Sequence, residues 1–106
     1  VKQDHFRVHW LDAEGNPAGG VSSGKGFTIS WQNGPLQRGP ERLEPNGAFV
    51  ETIIDAALAR LEFYQASKFA CLENEAAIQH LKGALVWLDA RTKNREARNV
   101  EGTHNL

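Results

Sequence analysis

Methionine is missing altogether, cysteine occurs once, and no proline follows position 45. A chain whose single thiol is Cys71 has no intramolecular disulfide, and no Cys/His pair shows zinc-ligand spacing, so a reducing compartment is the simpler expectation. The missing methionine is what a processed or trimmed start would leave. No window approaches the roughly 18 apolar residues of a membrane span. Val1-Lys-Gln-Asp-His also lacks the pattern of a signal peptide, and no membrane partner is expected. A basic excess is absent too: 13 acids stand against 12 lysines plus arginines, for a formal net charge of −1. General nucleic-acid binders depend on surplus cations to displace counterions, so no DNA or RNA polymer is expected to bind. Catalytic constellations are equally lacking. His5 and His9 would stand about 13 Å apart along a strand, His80 and His104 have no carboxylate or thiol partner nearby, and Cys71, between Ala70 and Leu72, reads as a buried inert thiol. Neither a metal nor a cofactor is expected.

What is present splits near residue 47. All four prolines and eight of the ten glycines lie at or before Gly47, so long helices belong after it. In the first part, His5-Phe-Arg-Val-His-Trp10 alternates, with Phe6, Val8 and Trp10 opposite His5, Arg7 and His9. Gly26-Phe-Thr-Ile-Ser-Trp-Gln32 alternates likewise, with Phe27, Ile29 and Trp31 on one side. Both patterns predict half-buried antiparallel strands. The turn-rich link from Asp12 to Gly24 is either a mobile loop or a short third strand around Val21. Within it, Gly19-Gly-Val-Ser-Ser-Gly-Lys-Gly26 imitates a phosphate-binding P-loop, but it ends on Gly26 instead of Ser or Thr and precedes a strand, so we reject that reading. Asn33 to Gly47 holds three prolines and is a long irregular segment, either functional or a disordered connector.

Asn46 is positioned to cap a helix over residues 48–67, whose Val50, Ile53, Ile54, Ala57, Leu58 and Leu61 follow the three-and-four spacing of a core stripe. Phe49, Ala56 and Phe63 form a second line on another side. Ser67 to Cys71 turns the chain into a second helix over 70–98, with Ile78, Leu81, Leu85 and Leu88 facing the first helix and Ala77, His80, Ala84, Trp87 and Arg91 on a separate line. The fold class is α+β: a single domain over 1–106, with a small antiparallel sheet in 1–47 and a long two-helix hairpin in 48–106.

Charge gathers at the end of the second helix, where Arg91, Lys93, Arg95 and Arg98 face one acid, Glu96. One helical turn separates Arg91 from Arg95, about 6 Å between Cβ atoms. Two guanidinium forks at that spacing suit phosphates or carboxylates, although cations near a helix C-terminus are also favoured by the macrodipole alone. Tyr64 closes the first helix and Asn74 opens the second, so an antiparallel hairpin puts these two together and far from the arginines. The two groups would meet only across subunits, offering an aromatic plane, an amide and paired cations to a compact nucleotide.

Several segments taken together resemble a known family. Gly26-Phe-Thr-Ile-Ser-Trp-Gln-Asn-Gly-Pro-Leu36, Pro45-Asn-Gly-Ala-Phe-Val-Glu51, Glu62-Phe-Tyr64, Phe69-Ala-Cys71, Arg91-Thr-x-x-Arg-Glu96 and Val100-Glu-Gly-Thr-His104 are similar, in order, to the phage anti-Thoeris sponge family, and the hairpin is akin to that of the anti-CBASS cyclic-nucleotide sponge. The resemblance implies a viral protein that is not an enzyme. Such a protein works in the cytoplasm of the infected bacterium, where it captures cyclic ADP-ribose isomers of the glycocyclic kind and holds them intact. It implies homodimers or homohexamers, the hexamers also taking cyclic di- or trinucleotides at separate sites. Carried onto this chain, it implies Arg91 and Arg95 for base stacking and diphosphate contact, then Asn74 and Tyr64. Trp31, Asn33 and Arg38 would close the pocket. Asn99 stands where a glycine is usual before Val-Glu-Gly, and Asn also accepts the left-handed backbone of a helix stop. Two other readings stay open: a hydrolase of the cyclic signal, and a structural oligomer without ligand.

Overall fold

The computed structural model describes residues 3–106; Val1 and Lys2, the start read above for a signal peptide, lie outside them. Two compact units emerge, one formed by the chain up to Phe49 together with Val100–Leu106, the other by Val50–Asn99.

The first unit is a three-stranded antiparallel sheet in the order β1-β2-β3, with β1 Phe6–Leu11, β2 Pro17–Gly24 and β3 Phe27–Asn33. The uncertain link therefore holds a full central strand, longer than a piece around Val21. β2 is built from small residues, and the reason is steric: a Cβ on Gly20 would lie 2.3 Å from the Val8 carbonyl oxygen. The P-loop look-alike falls on this strand and the turn after it, as its rejection requires.

Register decides which side each apolar row faces. Ser22 is opposite both Arg7 and Ile29, and Gly20 is opposite both His9 and Trp31, while Val21 is opposite Val8 and Ser30. Directly paired residues share a face. Phe27, Ile29 and Trp31 thus share one face with Arg7 and His9, and the Phe6-Val8 row occupies the other. His5 meets the Phe27 ring edge-on at 5.7 Å, and Trp31 Nε1 donates to Ser22 Oγ at 3.2 Å, both on the first of these faces. The expectation of a half-buried β1 row is corrected in part: Val8 is half-buried, but Phe6 is 63% and Trp10 50% exposed.

The segment after β3 is ordered. It passes through a single 3-10 turn, Gly39–Glu41, and returns along the free edge of β3, where Ser30 and Gln32 exchange backbone hydrogen bonds with Ala48 at 2.8 and 3.0 Å. Asn46 does not cap a helix. Its side chain instead bonds the Asn33 backbone, and the Gln32 side-chain oxygen accepts the Asn46 and Gly47 amides.

The second unit is the hairpin: α1 Val50–Gln65 and α2 Leu72–Ala97, slightly shorter than the sequence pattern suggests at both ends. Leu58 and Ile78, one from each predicted stripe, are the buried hydrophobic side chains among the described residues. Ile53, Ile54, Leu61, Leu81, Leu85 and Leu88 are half-buried beside them, whereas Val50 and Ala57 of the expected stripe are exposed. The turn is secured by Gln65, whose side-chain amide both donates to the Cys71 carbonyl (2.9 Å) and accepts the Cys71 amide (3.1 Å). Cys71 is exposed, not buried as expected, because it is the N-cap of α2 and its extended backbone turns the thiol outward from the first helical turn. At the other end α2 stops as anticipated, with Asn99 in the left-handed region at φ 59.

Candidate functional site

In the hairpin, Tyr64 lies at the next-to-last position of α1 and Asn74 in the first turn of α2, while Arg91 and Arg95 are near the C-terminal end of α2. Arg91 lies seventeen positions after Asn74, roughly 26 Å of helix at about 1.5 Å per residue. One hairpin therefore presents two separate groups of candidate residues, as the antiparallel geometry demands.

At the arginine end, Arg91 is exposed and makes no hydrogen bond or ion pair with any described residue, and Arg95, in the last turn of α2, is half-buried. The other cations there are occupied. Lys93 pairs with Asp89 at 2.9 Å; this hydrogen bond, with the charge attraction behind it, raises the ammonium pKa above its ordinary 10.5. Arg98 donates to the Asn94 side chain at 2.9 Å.

At the turn end, Tyr64 is 39% exposed, and its hydroxyl accepts a hydrogen bond from Arg60 Nε at 3.1 Å. The Arg60 guanidinium carbon stands 4.8 Å from the ring centroids of both Tyr64 and Phe63, whose rings meet edge to face at 6.0 Å. Asn74 is half-buried, and its Nδ2 makes a long 3.5 Å contact to the Phe69 carbonyl. Sequence reasoning passed over Arg60, although its i+3 and i+4 spacing to Phe63 and Tyr64 was there to be read.

The remaining candidates belong to the sheet unit. Trp31 is half-buried on β3 and tied to Ser22; Asn33 is exposed, with its backbone held by Asn46. Arg38 is drawn toward the C-terminal strap: its Nη1 donates to the Glu101 carbonyl at 3.0 Å and lies 3.9 Å from the Glu101 carboxylate. Arg42 grips that carboxylate with both Nη atoms, at 2.8 and 3.1 Å, and the Gln37 amide donates to the Gly102 carbonyl. Glu101 was not singled out from sequence, because its partners lie about 60 positions earlier. An open depression elsewhere is lined by Gln3, Asp4, His5 and Arg7, none of them a sequence candidate. Among the described residues there is no cluster of metal-binding side chains, and no helix is long and apolar enough to cross a membrane.

A three-stranded antiparallel sheet leading into a helical hairpin, with aromatic and amide groups at one end and guanidinium groups at the other, defines an α+β hairpin protein. Residues 25–93 match the family model described as the Acb2/Tad1 hairpin domain, and the chain belongs to that family. The matched span includes Trp31, Asn33, Arg38, Tyr64, Asn74 and Arg91 and stops short of Arg95. The chain is also similar to Thoeris anti-defense 1 of Bacillus phage SBSphiJ7, at 43% identity over 82 residues that make up 77% of this chain and 55% of that protein. It spans about half the length of that curated relative.

Proposed function

We propose that this is a non-catalytic phage anti-defence protein that sequesters cyclic nucleotide immune signals in the cytoplasm of the infected bacterium. Glycocyclic ADP-ribose isomers are the first ligand class, and cyclic di- and trinucleotides are a second class to be tested at separate sites. The observation that carries the reading is Arg91, an exposed guanidinium with no described partner, one turn from Arg95 in a chain of the Acb2/Tad1 hairpin family.

In this reading Arg91 and Arg95 grip the diphosphate and stack on the base, while Tyr64 and Asn74 supply a second stacking plane and an amide. Trp31, Asn33 and Arg38, on the sheet unit, are further candidate ligand contacts. The roughly 26 Å between the two groups within one hairpin means that two copies are needed to complete a site. Phe63, Val86 and Trp87, exposed at 61%, 68% and 77%, are apolar side chains that assembly as a dimer or hexamer would cover. The mechanism is mass action. Sites must outnumber signal molecules and hold them more tightly than the downstream effector; nanomolar affinity corresponds to about 12 kcal/mol, and slow release is its kinetic form.

Calorimetry with a panel of cyclic nucleotides, together with native mass spectrometry of the loaded assembly, tests the reading. Arg91→Ala and Arg95→Ala should each weaken binding by roughly 10- to 150-fold, the range for a charge-assisted hydrogen bond, without loss of helicity. Wild-type affinity in either variant removes the site. Chromatography of the ligand released by heat should return it unaltered, and a cleaved product would identify a hydrolase instead.

A further inference from the structure

Arg60 is held in a way that leaves work for it to do. Its Nε is committed to the Tyr64 hydroxyl, and its plane is fixed by contact with two aromatic rings, so its orientation is set before any ligand arrives. Arginine has five N–H donors, so four remain on Nη1 and Nη2. Among the described residues no carboxylate pairs with them. Arg38, Arg42 and Lys93, by contrast, are each taken up by an acid. A guanidinium steadied by aromatic faces keeps its full charge, loses little rotamer freedom on binding, and presents a fork that fits a phosphate.

The other two residues assigned to the nucleotide at the turn end of the hairpin, Tyr64 and Asn74, are neutral, and the turn cation Lys68 stands over a different ring, that of Phe69, at 5.3 Å. We propose that Arg60 is a third phosphate-contacting residue of the nucleotide site, acting from the Tyr64 side opposite the Arg91 and Arg95 of a second copy. This rests on the function proposed above. A base stacked on an aromatic ring carries its phosphates one sugar away, and Arg60 sits three and four residues from the two rings, on the same stretch of helix surface. The ligand class it selects is a nucleotide bearing adjacent phosphates, whose charge needs cations from both sides of the pocket.

A purely structural role, in which Arg60 only splints the Tyr64 ring, makes a different prediction about salt. The test is calorimetric titration of the full chain with cyclic ADP-ribose and its glycocyclic isomers across a sodium chloride series, with adenosine as the phosphate-free control. Arg60→Gln should bind at least about ten-fold more weakly at low salt, and its affinity should fall less steeply with salt than that of the wild type, because one screened attraction is gone. Arg60→Lys should recover part of the salt dependence. Tyr64→Phe, which keeps both rings and removes the hydroxyl, should leave the salt dependence unchanged. Circular dichroism and native mass will show whether each variant keeps the wild-type helix content and assembly, and Arg60→Lys serves if Arg60→Gln does not. The inference is overturned if Arg60→Gln matches the wild type in affinity and salt dependence while Arg91→Ala loses binding, a result that leaves the proposed function standing. It is also overturned if affinity drops equally at every salt concentration. If the wild type binds no member of the panel, the proposed function falls, and this inference falls with it.

Discussion

Asn46 holds Asn33 by both of its backbone polar groups: the Asn33 amide donates to Asn46 Oδ1 at 2.8 Å, and Asn46 Nδ2 donates to the Asn33 carbonyl at 2.9 Å. A side-chain amide thus imitates a neighbouring strand and finishes the edge that Ala48 begins. Asn46→Asp removes the donor and sets a carboxylate against a carbonyl. It should cost about 1–3 kcal/mol, the range for losing a hydrogen bond and leaving a polar group unmet, seen as a lower urea midpoint at unchanged slope.

Cys71 is the N-cap of α2 and makes no side-chain hydrogen bond to the first turn. A hydroxyl at this position can accept one of the unpaired amides, so Cys71→Ser should stabilise the hairpin by about 0.5–1 kcal/mol in thermal melts. Because the thiol is exposed, the native wild type should also react with a maleimide before any denaturant is added.

Glu101 ties the strap after α2 to the loop after β3. Removing its charge with Glu101→Gln leaves one hydrogen bond between Arg42 and position 101 in place of a two-point ion pair, while Arg42 keeps its bond to the Gln37 carbonyl; Arg42 is 45% exposed, which limits the loss to about 1 kcal/mol. The sharper readout is hydrogen exchange. The Gln37 amide, bonded to the Gly102 carbonyl, should exchange faster in the variant, while amides in the middle of α1 should not change.

Asp12 accepts hydrogen bonds from the backbone amides of Asn16 and Glu14, and these, the Asn16 bond first, lower its pKa below the ordinary 3.8 against a smaller opposing effect of burial. A depressed carboxylate stabilises the fold above its unfolded pKa, and the contribution disappears as pH falls through the folded value. The stability difference between wild type and Asp12→Asn should therefore be constant above about pH 5 and shrink toward zero as the medium is acidified below 3.8. Urea midpoints measured from pH 7 to pH 2.5 will follow it.

Gly20 allows β1 to approach β2. With its φ at 149 and the Val8 carbonyl oxygen 2.3 Å from where a Cβ would be, Gly20→Ala must push the strands apart. A loss of several kcal/mol, on the scale of overpacking plus backbone strain, should appear as collapse of the β signal by circular dichroism, with helical signal retained.

The helices were legible because their cause is local. Ile54, Leu58 and Leu61 repeat at helical spacing, as do Ile78, Leu85 and Leu88, and the structure turns those stripes inward and buries Leu58 and Ile78. The stop at Asn99 was readable for the same reason, since a left-handed residue is a property of one position. β2 was only half legible: its glycines and serines carry no apolar alternation, and they are there because neighbouring strands come too close for larger side chains. Cys71 and Asn46 were misread because each has good local credentials for one role, while partners six and thirteen positions away hold the chain in another.

The order of elements, the helical stripes, the cationic tip of α2 and the separation of that tip from Tyr64 and Asn74 are properties of spacing along the chain, and the sequence by itself determined them. Tertiary structure alone decided that the Phe27-Ile29-Trp31 row and the Phe6-Val8 row lie on opposite faces of the sheet, that Glu101 occupies Arg42 and draws in Arg38, and that Arg91 is left without a described partner. Strand register and long-range ion pairing depend on which distant segments meet, and no periodicity within either segment encodes that.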